Sequence, residues 1–227
     1  MIHLLAFALP LLAANPGAFK HVGGKHSVEV YRLMQSPVID LLAEGDIDAP
    51  PSVVRDVVLD YANAPKVTDN VAESRVIAKS DRQILAYQRL KLPVIADRDF
   101  TLRAWWGQRG ATLLTHFAVD NAHGPGARQG VVRLSTLQGG WELTPIRGGA
   151  ATHARYRVQI DLAGSVPRWM VSGGAVKNLP KLFEGVRKLA RQRVPGTPEA
   201  ARNQTVRYSV AGCRRIRFRV TRGSRGR

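Results

Sequence analysis

The stretch THARYRVQIDLAG, residues 152–164, decides the fold. From Ala154 to Leu162 every second side chain is apolar or aromatic, and the side chains between them are charged or polar. An alternation with a period of two predicts a β-strand that has one face in a core and the other in water. Strands with one wet face are typical of antiparallel sheets.

The same period extends backwards along the chain from this strand. Short turn sequences such as SD, QRG and NAHGPGA separate the apolar-alternating segments, which predicts an antiparallel meander. Two further strands are predicted in HSVEVYRL and VIDLLAEGDID, before the meander begins. The predicted meander strands are 71–79, 83–92, 98–106, 111–119, 130–137, 140–145 and 152–162.

Two helices complete the prediction. APPSVVRDVVLDYANAPK has Pro51 in its first turn and valines three and four residues apart. A longer helix is predicted from Pro167 to Gln192, with an apolar stripe and a kink or break at Pro180. A curved sheet cannot fill its own concave face, so a helix laid across it leaves a roofed apolar cavity. The predicted fold class is therefore α+β.

A cluster of charges at 97–103 raises the question of catalysis. Asp97 and Asp99 flank Arg98, and carboxylates beside an arginine both stay ionised, unlike an acid–base pair. Alternation points Arg103 outward but places Arg98 on the apolar face, where a buried guanidinium needs a partner. Two interpretations stay open for Arg98, a structural ion pair with the aspartates or a ligand contact. The inward positions of this strand are Phe100, Leu102, Ala104 and Trp106.

Sequence motifs of catalysis and metal binding are absent. The chain has no GxSxG sequence, no candidate Cys–His pair and no phosphate-binding glycine loop. Its one cysteine, Cys213, excludes an intramolecular disulfide and a multi-cysteine zinc site. The six histidines do not have the spacing of metal ligands. We therefore expect no metal and no cofactor.

Both ends of the chain differ in composition from the middle. The apolar run Leu4–Ala14 ends in small residues, which predicts a signal peptide over 1–18 and a periplasmic or secreted protein if it is cleaved. Otherwise the segment is a buried helix of a cytoplasmic protein. The net charge is +17, and nine arginines lie between Arg202 and Arg227. We expect 196–227 to be a flexible, solvated tail. Transient contact with anionic membranes is the next interpretation, and nucleic-acid binding is a further alternative.

Several segments resemble a known family, in the order in which that family has them. They are VEVYR, GDIDAPPSVVRDVVLDYANAPK, NVAES, LKLPVIADRDFTLR, GWELTP and YRVQIDLAGSVPRWMVSGGAVKNLPKLFEGVRKL, and they cover roughly 19–193. The chain resembles the START (steroidogenic-acute-regulatory-related lipid transfer) domain of the helix-grip, or SRPBCC, superfamily. It is most similar to bacterial members with a signal sequence. The resemblance places this domain at 19–195.

The resemblance implies a U-shaped sheet that grips the C-terminal helix around a tunnel. We expect a monomer that binds and carries a lipid or sterol-like molecule without covalent chemistry and without a specific nucleic-acid partner. A polyketide cyclase or aromatase is the alternative within the superfamily, and several charged side chains converging in the cavity would favour it. The expected ligand-binding residues are Arg98, Phe100, Leu102, Ala104, Trp106, Trp141, Tyr156, Val158, Met170 and Phe183.

Two positions depart from the family's pattern. Several members have a tunnel-facing arginine six residues after the arginine of RDF, and this chain has Ala104 there. Arg103 is out of phase by one residue, so it reaches the tunnel only if a β-bulge shifts the register. A tryptophan typical of members after the first helix is replaced by Lys66–Val67. Unless such a bulge is present, the missing arginine argues against recognition of a phospholipid head group.

Overall fold

A computed structural model of the protein describes residues 18–34, 36, 38–164, 166 and 173–194. The segment 1–17 of the predicted signal peptide, the Arg-rich tail, Met170 and the expected helix start at Pro167 lie outside these residues. What the sequence predicts for them stays a prediction.

One curved sheet forms the body of the described chain, and nearly all of its strand pairs are antiparallel. The strand order is β1-β2-β3-β10-β9-β7-β6-β5-β4, and β8 pairs in parallel with β6 outside this path. This confirms the predicted antiparallel meander and the α+β class. The strands are β1 Phe19–Gly24, β2 Val28–Leu33, β3 Ile39–Ile47, β4 Val71–Lys79, β5 Gln83–Leu90, β6 Arg98–Arg109, β7 Thr112–Val119, β8 Val132–Arg133, β9 Leu137–Ile146 and β10 Ala151–Ile160.

Two strands differ from the prediction. The predicted strand 130–137 is wrong for most of its length, since only the two residues of β8 pair there and β9 begins at Leu137. The sequence also does not predict β1, because FKHVGG lacks an apolar alternation. This strand lies at the sheet edge and pairs only with β2, so it needs no buried face.

The first helix, α1, spans Pro51–Val58 and has a proline in its first turn, as predicted. A short 3₁₀ helix, Tyr61–Lys66, follows it and contains Pro65. The C-terminal helix, α2, spans Ala175–Arg193 and continues through Pro180. Of the kink or break predicted at this proline, the break is therefore wrong. Burial of the apolar face of α2 offsets the backbone hydrogen bond that the proline removes.

The curved sheet wraps around α2, and the main core lies between them. Phe183 and Val186 of α2 are fully buried in a cluster with side chains from β2, β3, β9 and α1. The helix also approaches the backbone after the 3₁₀ helix closely, because a Cβ added to Gly185 would lie 1.9 Å from the carbonyl oxygen of Val67. Only glycine permits this approach.

The convex face of β6 is not uniformly wet, contrary to the prediction. Asp99 and Thr101 are both fully buried, although they alternate with the concave-face residues. The segment from Asn121 to Leu134 covers them, and Arg133 donates two hydrogen bonds, of 2.8 and 2.9 Å, to the Asp99 carboxylate. Alternation alone would place the Asp99 carboxylate in water. In the fold it is buried beneath the 121–134 segment and pairs with Arg133.

Candidate functional site

A cavity of about 260 Å³ lies between the concave face of the sheet and helix α2. Apolar side chains supply most of its wall, and they come from β5, β6, β7, β9, β10, α1 and α2. Three aromatic rings of the wall lie next to one another, with centroids 4.6 Å apart for the tilted pair Trp141 and Tyr156 and 6.3 Å apart for the stacked pair Phe117 and Tyr156. A concave, mainly apolar space of this kind suits a small hydrophobic molecule.

Half of the ligand-binding residues expected from the sequence meet in this cavity. They are Phe100 and Leu102 from β6, Trp141 from β9, and Tyr156 and Val158 from β10. Their convergence follows from the period of two, because each strand turns the same parity towards α2. That these side chains contact a ligand stays a prediction.

Three other expected residues lie elsewhere in the core. Ala104 belongs to a buried cluster with Ile84 and Leu134, and Trp106 packs against that cluster without lining the cavity. Phe183 is fully buried behind the wall, with its ring centroid 5.1 Å from that of Trp141. Alternation identifies the correct face for these residues but not how far along the strand the cavity extends.

Arg98 is also not part of the cavity wall. Its side chain is only 2% exposed, and Nε and Nη2 donate hydrogen bonds of 3.0 and 2.9 Å to the carbonyl oxygens of Leu162 and Ala163. Nη1 donates a 2.5 Å hydrogen bond to the carbonyl oxygen of Ala96. The ion pair with the flanking aspartates is therefore wrong, because Asp97 pairs with Arg89 and Asp99 pairs with Arg133. Backbone carbonyls, which no residue pattern reveals, satisfy this guanidinium.

The register of β6 places no arginine at the cavity position where several members of the START family have one. β5 and β6 pair continuously from Gln83 opposite Trp105 to Leu90 opposite Arg98, with no bulge. Arg103 therefore faces away from the cavity, and its Nε donates a 2.7 Å hydrogen bond to Asp120. This confirms the register expected from alternation.

Sequence reasoning missed most of the polar part of the wall. Gln88 could have been found, since it shares the inward parity of β5 with Ile84 and Leu90. The other positions follow α1 in turns, where no period assigns a face, or lie at the cavity side of β7 and α2. The polar lining residues not predicted are Asp60, Tyr61, Thr68, Asn70, Gln88, Thr115 and Asn178.

Asp60 is the one charged residue among the described residues that line the cavity. Its carboxylate forms an ion pair with Arg193 at the end of α2 and accepts a 2.9 Å hydrogen bond from Asn63. Arg193 also donates a 2.9 Å hydrogen bond to the carbonyl oxygen of Asp56. The charge of Asp60 thus fixes α2 to α1 and is compensated before any ligand enters.

The chemistry available in the cavity is limited. Burial raises the pKa of both Tyr61 and Tyr156 above the ordinary value for a phenol, so both hydroxyls stay protonated near neutral pH. No histidine or cysteine lines the cavity in the described part of the chain. Within the same residues, no group of three or more His, Cys, Asp and Glu side chains could hold a metal ion. This wall can donate and accept hydrogen bonds, but it presents no activated nucleophile.

The family can now be assigned. The sequence model of the family described as "Polyketide cyclase / dehydrase and lipid transport" matches residues 47–187, more than half of the chain. The chain belongs to this family. It also has the START fold, and proteins of this family bind hydrophobic ligands. The helix-grip architecture described above, with α2 inside a curved antiparallel sheet, agrees with this membership.

Two curated proteins with START domains are also similar in sequence to this chain. START domain-containing protein 10 of human and of mouse are each 27% identical to the chain over 144 residues, which cover 62% of this chain and 49% of the relative. The chain therefore spans about half the length of these curated relatives.

Solved structures share the fold at low sequence identity. Human STARD10 has a TM-score of 0.70 at 20% identity, covering 85% of this chain and 79% of that one. The STAR-related lipid transfer protein (fragment 25–204) of Xanthomonas axonopodis has a TM-score of 0.69 at 20% identity, covering 77% and 99%. The Zhui aromatase/cyclase of Streptomyces sp. R1128 has a TM-score of 0.50 at 12% identity, covering 70% and 99%. At these identities the structures show the fold alone.

Among the described residues, no helix has the length and hydropathy needed to cross a membrane.

Proposed function

We propose that this protein binds a hydrophobic small molecule in the cavity beneath α2 and carries it without covalent chemistry. The observation that carries the proposal is the apolar wall of a 260 Å³ space that the protein's own side chains leave unfilled. Apolar burial contributes roughly 25 cal/mol per Å² removed from water, which favours binding of a hydrophobic ligand in such a space.

The volume supports a small ligand. The cavity's 260 Å³ lies just below the range of ordinary small-molecule pockets, about 300–1,000 Å³. A volume at this low end favours a small hydrophobic molecule over a phospholipid with two chains. The lack of a cavity-facing arginine supports the same conclusion, since Ala104 occupies the family's position and Arg103 points away.

The charges of the cavity favour a carrier over a cyclase. A cyclase would need several charged side chains converging on its substrate, but the described wall contains only Asp60, which is already paired with Arg193. Arg98, the charged residue expected there from the sequence, instead donates to backbone carbonyls. The remaining polar side chains of the wall are neutral, which suits binding of an uncharged ligand better than acid–base catalysis.

Mass spectrometry of organic extracts from natively purified protein tests the proposal. We expect one class of small hydrophobic compound, recovered unchanged and in a fixed ratio to protein. Leu102→Arg should lose this compound, because it places an unpaired charge in the apolar wall, whereas Arg103→Ala on the convex face should keep it. Recovery of a chemically altered product after incubation with the purified compound would instead support the enzyme.

A further inference from the structure

Two hydroxyl groups of the cavity wall have no hydrogen-bond partner among the described residues. Tyr61 and Tyr156 both line the cavity, and neither hydroxyl makes a hydrogen bond to any described residue. In the same part of the chain, the side-chain atoms that are both inaccessible and unpaired belong to Arg89, Thr101 and His116. The tyrosine hydroxyls are not among them, so they keep some accessible surface, and both residues line the cavity. Polar groups in an apolar wall are costly unless something hydrogen-bonds to them.

A third polar group of the wall has a fixed orientation. The hydroxyl of Ser74 lies 2.5 Å from the carbonyl oxygen of Tyr61 and 3.0 Å from the side-chain nitrogen of Gln88. Ser74 has only one hydroxyl hydrogen, which goes to the carbonyl because a carbonyl can only accept. Its oxygen must therefore accept from Gln88, which identifies the neighbouring atom of that amide as the NH₂ group. Gln88 Oε1 is left to the cavity as an unused acceptor.

These groups belong to residues that line the same cavity. Ser74 connects the backbone of Tyr61 to the amide of Gln88 through two hydrogen bonds. The ring centroid of Tyr156 lies 4.6 Å from that of Trp141 on the neighbouring strand. Together they supply two neutral hydroxyls and one carbonyl-type acceptor, beside the other polar side chains of the wall, which are Asp60, Thr68, Asn70, Thr115 and Asn178.

The ligand group that complements this arrangement is uncharged and can both accept and donate a hydrogen bond. A carboxylate would find no free cation in the described wall and could donate nothing to Gln88 Oε1. An ammonium would find only Asp60, whose charge Arg193 already compensates. An ether or a simple carbonyl could accept from a tyrosine but would leave Gln88 Oε1 unpaired.

We propose that the ligand carries a neutral hydroxyl group, which accepts a hydrogen bond from Tyr61 or Tyr156 and donates one to Gln88 Oε1. The ligand class is an aliphatic or alicyclic alcohol of small size. This inference rests on the proposed function, and it names the chemistry of the molecule that the cavity holds.

Competition binding with matched ligands tests it. Nile red is bound to the full-length protein after delipidation and displaced by n-decanol, n-undecane, methyl nonyl ether and decanoate, which have similar chain lengths. We expect n-decanol to bind about tenfold more tightly than n-undecane, the ratio expected from one or two neutral hydrogen bonds. The ether keeps only the acceptor, so it should fall between the two, and decanoate should bind more weakly than n-decanol.

Variants assign the effect to the tyrosines. The double variant Tyr61→Phe and Tyr156→Phe keeps both rings, so it should bind n-undecane as the wild type does while its preference for n-decanol falls to about onefold to threefold. Tyr31→Phe is the matched control, since that hydroxyl donates to Glu44 on the convex face, 3.1 Å away. The control should keep the full preference.

The outcomes separate the two proposals. If neither Nile red nor any of the ligands binds, the proposed function itself is wrong. If n-undecane displaces Nile red as well as n-decanol does, or if decanoate binds most tightly, the hydrophobic cavity stands and the hydroxyl inference is overturned. An unchanged alcohol preference in the double phenylalanine variant would also overturn it, whereas loss of that preference alone supports it.

Discussion

Replacing Arg98 by methionine distinguishes a structural arginine from a ligand contact. The guanidinium donates to the carbonyl oxygens of Ala96, Leu162 and Ala163, so it ties the start of β6 to the segment that leaves β10. Methionine keeps much of the apolar stem but removes every donor. Three carbonyl groups then lose their partner at a site where the arginine side chain is only 2% exposed.

The expected cost follows from these three bonds. A hydrogen bond from a charged donor contributes about 1.5–3 kcal/mol, but the carbonyls of Leu162 and Ala163 belong to half-buried residues that water can partly reach. A total loss of about 3 kcal/mol in the free energy of unfolding is therefore expected. For a protein of this size, that loss lowers the melting temperature by about 6–12 °C.

Thermal and urea unfolding measure the loss, and Nile red titration of the folded variant measures binding. Arg103→Met is the matched control on the same strand, because it removes a partly exposed ion pair with Asp120 and an exposed 3.2 Å hydrogen bond to Gln83 and should cost about 0–1 kcal/mol. Binding by folded Arg98→Met should resemble that of the wild type. A variant with wild-type stability that no longer binds would refute the structural role and restore Arg98 as a ligand contact.

Three further predictions concern the two faces of the sheet and the tail. Leu102→Arg should abolish hydrophobic-ligand binding, because an unpaired charge in the apolar wall costs several kcal/mol, while Arg103→Ala should keep binding. Ligand displacement measures this in protein whose fold is checked by circular dichroism. Loss of binding in the alanine variant alone would show that the register is shifted. Burial lowers the pKa of His116, although the charge of Glu142 opposes this, so the unfolded chain takes up a proton more readily than the folded one near pH 6.5. The free energy of unfolding should thus be undiminished above that pH and fall as the pH drops below it, and His116→Gln should flatten the slope; an equal slope in both proteins would count against this. Removal of 196–227 should leave ligand affinity intact and weaken binding to anionic vesicles in a sedimentation assay, whereas loss of ligand affinity would place the tail within the domain.

The period of two predicts the sheet well because each strand keeps one parity towards α2. Phe100 and Leu102 on β6, and Tyr156 and Val158 on β10, line the cavity as alternation requires. The convex face follows the rule less well, because Asp99 is buried there beneath the connection that contains Arg133. A long connection folds over a sheet through contacts distant in sequence, and no local pattern records them.

Polar contacts in the cavity are the part that the sequence could not predict, and the reason is physical. Tyr61 lies in a 3₁₀ turn, where a side chain's direction depends on how the turn packs rather than on a repeat. The acceptor role of Gln88 depends on Ser74 of the neighbouring strand and, through it, on a carbonyl of that turn. Each of these residues is unremarkable by itself, and their chemistry appears only when three separate segments meet. Apolar periodicity therefore locates a cavity, whereas the selectivity that we propose for it depends on the few polar groups that have no partner among the described residues.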